Sequence, residues 1–274
     1  MKQAILITAH TSFNHIVNII NIFDHNYVFY IHIDKKSNIS ETQLQLFLSN
    51  PKVKFISQKF SINWGGTTYL KSILLLSEEA LKDKEIEYIH LISGQDYPLK
   101  TPSHMSVFLR KEPEAQYIES FSLPSDKWHN GGMSRIQKYH LHDIFNARTY
   151  LGAKLIKKAI KFQNLFQLKR KYKDNLPPLY GGSSWWTLSY DCLAYVIAYT
   201  HNNPQLLKRF EYTLSSDEMY FQTVIATSPF SSKVVNNNLR YVDWTPRHGV
   251  SPVTLDERDY EKLLTSSAFF ARKF

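Results

Sequence analysis

Three groups of polar residues stand directly behind apolar runs. Thr8 and His10 follow Ala4 to Ile7, His32 and Asp34 close the run from Tyr27, and Ser93, Gly94 and Asp96 follow Tyr88 to Ile92. If the runs are parallel strands, these residues lie beyond their carboxyl ends, where open α/β sheets bind ligands. Asp and Ser also begin ordinary turns, so no single group is decisive. The sequence lacks G-x-x-x-x-G-K-[ST] and G-x-G-x-x-G, which removes the main support for P-loop and dinucleotide chemistry. G-x-S-x-G is missing too, so a Ser-His-Asp hydrolase has no nucleophile elbow. No D-x-D pair is present to hold a divalent metal. His32-x-Asp34 and His140-x-His142-Asp143 offer only two or three scattered ligands, and no metal site is expected.

These residues need a scaffold, and the first half supplies a regular one. Gln3 to Thr8, Tyr27 to Ile33, Lys52 to Ile56 and Tyr88 to Ile92 read as strands. Phe13 to Ile22, Ser40 to Leu48 and Thr67 to Leu81 read as helices, and Thr101-Pro102 as the N-cap and first position of another. Four β-α steps predict a mainly parallel sheet with helices on both faces. Beyond the Pro177-Pro178 break the pattern is mixed. Helices are expected near Tyr190 to Thr200, Pro204 to Tyr212 and Ser216 to Thr227, with a strand at Leu239 to Trp244. Thr254-x-x-Glu257 has the form of a capping box for a late helix.

The chain has 274 residues, is 43% hydrophobic and 14% aromatic, and so can bury a large core. Cys192 is its only cysteine, which excludes an internal disulfide and fits a reducing compartment. The first apolar run is too short for a signal h-region, and no run approaches a membrane span. The net charge of +9 is local: Ala147 to Lys173 holds nine Lys or Arg and no Asp or Glu, and the rest of the chain balances 24 basic against 24 acidic residues.

Seven segments together resemble the core-2/I-branching β-1,6-N-acetylglucosaminyltransferase family, which also contains peptide O-xylosyltransferases. They are His32-Ile-Asp-Lys-Lys36, Asn63-Trp-Gly-Gly66, Leu91-Ile-Ser-Gly-Gln-Asp-Tyr-Pro-Leu99, Gly182-Ser-Ser-Trp-Trp186, Ser216-Asp-Glu218, Leu239-Arg-Tyr-Val-Asp-Trp244 and Phe270-Ala-Arg-Lys-Phe274. They occur in the family's order and cover nearly the whole chain. The resemblance implies one GT-A-like α/β domain over residues 1–274, with a nucleotide-sugar half at 1–122 and an acceptor and catalytic half at 123–274. It implies inverting, metal-independent transfer from a UDP-sugar to a glycan hydroxyl. N-acetylglucosamine is the first candidate sugar and xylose the second.

Residue by residue, the resemblance places Glu218 where the family has its catalytic base. It places Arg240 and Lys273 where the family neutralises the donor diphosphate. Thr8, His10, His32, Asp34, Trp64, Ser93, Gly94 and Asp96 fall on the nucleotide and donor side. Ser184, Trp185, Trp186, Glu119, Arg135 and Lys138 are the acceptor and sugar candidates. A carboxylate can take the acceptor proton, and fixed Arg and Lys can hold the leaving diphosphate without a metal. Each residue also has a structural reading. Ser215-x-x-Glu218 has capping-box form, Arg240 opens a strand, Lys273 lies near the terminus with Phe269, Phe270 and Phe274 to pin it, and paired tryptophans often belong to a core.

The chain lacks the signal anchor and the several cysteines of animal members, so it resembles a bacterial, cytoplasmic member that builds a surface glycan. Its acceptor region matches poorly. Two competing readings are a basic nucleic-acid binder, resting on Ala147 to Lys173 with Phe162, Phe166 and Tyr172 interleaved, and an inactive sugar-binding relative. In the same segment Leu151, Leu155, Ala159, Phe162 and Phe166 predict one apolar helical face, with Lys154, Lys157, Lys158 and Lys161 on its flanks and far side. Such a helix either packs on the core or lies peripherally on an anionic membrane, where a lipid-linked acceptor would be met.

Overall fold

The computed structural model describes residues 1–172, 176–249 and 251–274; Lys173, the last cation of the basic segment, lies outside them. The first half runs β1 (Lys2–Ala9), α1 (Phe13–Ile22), β2 (Tyr27–Ile33), α2 (Glu41–Leu48), β3 (Val53–Ser57), α3 (Thr67–Ala80), β4 (Ile86–Ser93), β5 (Asp96–Pro98), α4 (Pro102–Lys111), β6 (Gln116–Ile118) and β7 (Phe121–Ser122). The second half runs α5 (Ser134–Gln137), α6 (Tyr150–Leu165), β8 (Tyr180–Gly181), β9 (Trp186–Ser189), α7 (Tyr190–Asn202), α8 (Pro204–Phe210), α9 (Tyr220–Ala226), β10 (Val234–Val235), β11 (Arg240–Val242), α10 (Tyr260–Thr265) and β12 (Phe270–Arg272).

β2 is buried along its whole length and β1 at all but its first residue, as their unbroken apolar runs require for strands covered on both faces. The main sheet has the order β10-β6-β9-β4-β1-β2-β3. β4, β1, β2 and β3 are mutually parallel, which matches the mainly parallel α/β sheet expected of a GT-A-like fold. β9 enters antiparallel between β4 and β6, so strands of both chain halves interleave. On one face Leu6, Tyr30 and Leu91 pack with residues of α3, α7 and α9; on the other Ile5, Phe29 and Ile92 pack with α1 and α4. A second sheet, β11-β12-β5, sits beside the carboxyl ends of the central strands.

Two helix starts follow the sequence. Ser40 and Gln43 form a capping box on α2, and Thr101 caps α4 with Pro102 in its first turn. Two do not. Ser215 adopts the left-handed conformation (φ 49°, ψ 56°) and caps nothing, and the expected helix from Ser216 divides into a 3-10 turn, Ser216–Glu218, and α9. The late capping box joins Asp256 and Asp259, not Thr254 and Glu257, because Arg247 clamps the Asp259 carboxylate at 2.6 Å.

The helix of the basic segment exists, but its inward face differs from the expected one. Gly152, Ile156 and Gln163 face the protein. Leu151, Phe162 and Phe166 are exposed at 64%, 56% and 57%. The cause is local. A Cβ at residue 152 would stand 2.1 Å from the Asn146 carbonyl, so only glycine permits that approach. The Gln163 amide then clamps both backbone groups of Tyr139, at 2.7 Å and 3.0 Å.

Candidate active site

The register of the central strands places Thr8 opposite both His32 and Ser93, which gathers the three sequence groups into one row. Thr8 shares a hydrogen bond of 3.1 Å with the Tyr69 phenol of α3. Asp34 accepts from the backbone N–H of Lys36 (3.0 Å) and of Ile62 (3.1 Å). Lys36 in turn donates to the Ile62 carbonyl and the Asn63 side chain. Together they fix the turn that presents Trp64, 59% exposed, edge-on to His142. His32 is fully buried, accepts from the Phe60 N–H through Nε2, and is pushed down to about 4 by burial; its Nδ1 has no partner among the described residues. The His10 carbonyl accepts from the Ser37 hydroxyl, and the His10 imidazole is lowered by partial burial and by Arg148.

Asp96 accepts from the Ser93 N–H at 2.6 Å and the Ser93 hydroxyl at 3.0 Å, which closes the tight turn around Gly94. At Gly94 a Cβ would press Ile16 at 2.9 Å. Burial raises the Asp96 carboxyl, and Arg272 opposes that rise. The antiparallel pairing of β12 with β5 sets Arg272 opposite Asp96, with its Nε 3.7 Å from the carboxylate. The Arg272 guanidinium covers the Trp185 ring at 4.4 Å. Trp186 is fully buried against Phe221. Trp186 is thus core and not a sugar platform, while Arg272 occupies one face of the Trp185 ring. Lys273 follows, pinned by its carbonyl to the Leu255 N–H and by Phe274, which donates to the Gln95 carbonyl and packs on Tyr97. Among the described residues the Lys273 ammonium has no hydrogen-bond or ion-pair partner.

Arg240 departs from its expected role. Its two terminal nitrogens donate to the carbonyls of Leu91, Trp186 and Asn238 and to Thr187 Oγ1. With the terminal nitrogens spent on the sheet, only the buried Nε is left without a partner. Burial lowers its pKa to about 9, and the guanidinium anchors a buried polar chain through Thr187 and neutral His90 to Gln3.

The catalytic candidate lies in the 3-10 turn. Glu218 accepts from Arg135 at 2.5 Å, and the Arg135 guanidinium stacks 3.7 Å above Trp128. Burial raises the Glu218 carboxyl, Arg135 holds it back, and Glu119 adds to the rise. Asp217 is raised as well, by burial and by the charge of Glu218, while accepting from Ser184 at 2.5 Å. Gly182 donates to the Glu218 carbonyl at 2.9 Å. A Cβ at Gly182 would stand 1.9 Å from the Glu119 carbonyl, and one at Gly181 would strike Trp128 at 2.5 Å, so both glycines are sterically required. Tyr69 joins the halves of the cleft. It bonds Thr8, and its buried phenol senses Asp217, Arg272 and Asp96. Lys138 stays outside, its ammonium 3.5 Å from the Leu168 carbonyl.

Tyr69, Trp128, Asp217 and Arg272 were not foreseen as site residues. Asp217 and Arg272 adjoin the flagged Glu218 and Lys273, and that adjacency was the available signal. Trp128 lies in irregular chain and offered none. His140 and His142 face each other at 5.8 Å, but Asp143 is engaged elsewhere, capping α3 through the N–H groups of Thr67 and Thr68. Among the described residues no three His, Cys, Asp or Glu side chains cluster to hold a metal.

Fold and site define an α/β protein with a polar site at the carboxyl edge of its sheet, where Arg272 pairs with Asp96, Arg135 pairs with a raised Glu218, and Tyr69 lies between. The profile of the Core-2/I-Branching enzyme family matches residues 4–266, and the chain belongs to that family. Xylosyltransferase 1 of Mus musculus is 26% identical over 276 residues, covering 92% of this chain and 26% of its own. Xylosyltransferase 2 of Canis lupus familiaris is 26% identical over 274 residues, covering 92% of this chain and 29% of its own. The chain thus spans under a third of these relatives' length. Among solved structures, apo mouse xyloside xylosyltransferase 1 superposes with a TM-score of 0.41 at 13% identity, over 98% of this chain and 96% of that one. S. aureus TarS 1–349 in complex with UDP gives a TM-score of 0.33 at 15% identity, over 48% of this chain and 39% of that one. Likeness at that level carries no argument about activity.

Proposed function

We propose that the chain is an inverting glycosyltransferase that moves a sugar from a UDP-sugar to a glycan hydroxyl. The observation that carries this reading is the Glu218 carboxylate, raised by burial yet held by Arg135, next to an Asp217 that shares with Arg272 the surroundings of the Tyr69 phenol. Glu218 takes the proton of the incoming hydroxyl as that oxygen attacks the anomeric carbon from the face opposite the leaving diphosphate. Lys273 meets the charge that develops on the diphosphate, and Arg272, already oriented by Asp96 and Trp185, stands beside it. Family membership and the xylosyltransferase names of the relatives support sugar transfer. N-acetylglucosamine and xylose are the two donors to try first.

UDP release from a panel of UDP-sugars, with and without glycan acceptors, tests the proposal. Turnover of one UDP-sugar is expected. UDP binding with no turnover of any donor would leave the chain a sugar-binding relative.

A further inference from the structure

The outer face of α6 combines two properties that a solvated helix has no use for together. Tyr150 and Leu165 are 83% and 77% exposed, and Leu151, Phe162 and Phe166 stand open beside them. The Phe162 and Phe166 rings pack on one another at 4.6 Å, and both side chains remain exposed. Lys154, Lys157, Lys158 and Lys161 are all exposed along the same helix, and no acidic residue occurs from Ala147 to Lys171. Among the described residues none of these four lysines has an ion-pair partner. At about 100° per residue, Leu151, Leu155, Phe162 and Phe166 form one stripe, with Lys158 and Leu165 beside it and Lys154 and Lys161 further round.

The helix is firmly mounted. Gly152, Ile156 and Gln163 hold it to the body, and Thr149 caps its start by accepting from the Gly152 N–H. It is also close to the cleft in the chain. The turn just before it, Leu141–Asp143, places Asp143 on the first turn of α3 and His142 against Trp64. Gln163 clamps Tyr139, which lies two residues beyond α5, the helix that carries Arg135.

We propose that this face is a docking surface for a bilayer rich in anionic lipid. Exposed aliphatic and aromatic groups enter the acyl boundary, and the lysines reach the headgroups on their apolar stems. Charge complementarity selects this occupant. A neutral bilayer gives the lysines nothing, and a polynucleotide leaves Leu151 and Leu165 in water. Docking would bring the chain to a membrane surface, where a lipid-carried hydroxyl would be met. That consequence rests on the proposed transferase reading; the docking itself does not.

Co-sedimentation of the full chain with vesicles decides it. Binding to phosphatidylcholine vesicles doped with phosphatidylglycerol is expected, and none to phosphatidylcholine alone. High salt should weaken it, since the attraction acts within a Debye length. Changing the four lysines to Gln should lower the partition coefficient on the order of 10²- to 10³-fold. A second variant, Leu151→Ser with Phe162→Ser, should also lower it; both residues are exposed, so an unchanged melting temperature and far-UV spectrum would show the fold intact. Failure to bind anionic vesicles at low salt overturns the proposal, as does equal binding to neutral ones. Retained binding by both intact variants overturns it as well. So does an oligonucleotide complex, or a dimer covering α6, in a chain that ignores vesicles. UDP release measured without vesicles separates this outcome from a failure of the transferase reading.

Discussion

Glu218 is under two opposed influences. Burial favours its neutral acid and Arg135 favours the anion, with burial the larger. A base whose pKa is raised loses its working form as pH falls through that raised value. The acid limb of kcat against pH should therefore lie above the value near 4.3 of a free glutamate. Arg135→Ala removes the cation, raises the carboxyl further, and should move that limb to higher pH by about one unit or more. A limb that stays in place would mean that Arg135 does not govern the base. Glu218→Gln keeps the shape and cannot accept a proton, so kcat should fall about 10²–10⁴-fold with UDP binding retained. Lys273→Ala should weaken UDP binding about 10- to 100-fold, the worth of a hydrogen bond to a charged group, and leave uridine binding unchanged. Calorimetric titration with the two ligands would show it, and equal losses for both would remove Lys273 from the diphosphate. Glu218 and Lys273 were named from the sequence resemblance alone, and the roles proposed for them rest on it. The same resemblance misjudged Arg240, because the carbonyls that consume its fork come from β4, β9 and the Asn238 turn, which no motif brings together.

At the scale of elements, α3 starts with a borrowed cap. Gly66 has no side chain, and Asp143 supplies the acceptor from 76 residues along the chain. Gly66 must be glycine for the same reason, since a Cβ would stand 2.2 Å from the Asp143 carboxylate. Asp143→Ala should cost about 0.5–2 kcal/mol of stability, as lost N-caps do. Gly66→Ala should cost a similar amount by displacing the same carboxylate. Combined, they should fall well short of additive, which thermal melts of the two single variants and the double variant would measure; strict additivity would show the positions to be independent. Ser40 and Thr101 were legible as caps because donor and acceptor lie within four residues. The α3 cap was not, because its acceptor is remote. The orientation of α6 was missed for a related reason. Periodicity identifies a helix and its apolar stripe, but the close approach at Gly152 and the polar clamp at Gln163 decide which side turns inward.

For the molecule as a whole, the proposed charge supply is built into the chain as Arg272 and Lys273. Full activity in excess EDTA is the expected outcome, and loss restored by Mn²⁺ or Mg²⁺ would refute that arrangement. The parallel half of the sheet was legible because four β-α steps repeat in order. The antiparallel entry of β9 was not, since a four-residue strand between a Gly-Ser turn and a helix has no pattern that names its partners. That entry has a consequence for the chain as it is made. β4 is synthesised early and pairs with β1, yet its other edge is covered only by β9, which ends 96 residues after β4 does. At translation rates of about 5–20 residues per second, roughly 5 to 20 s pass before that edge can be covered. In this interval the nascent sheet carries an open hydrogen-bonding edge on β4, a template for pairing with other chains. The growing polypeptide therefore has to be shielded on the ribosome through the middle of its synthesis.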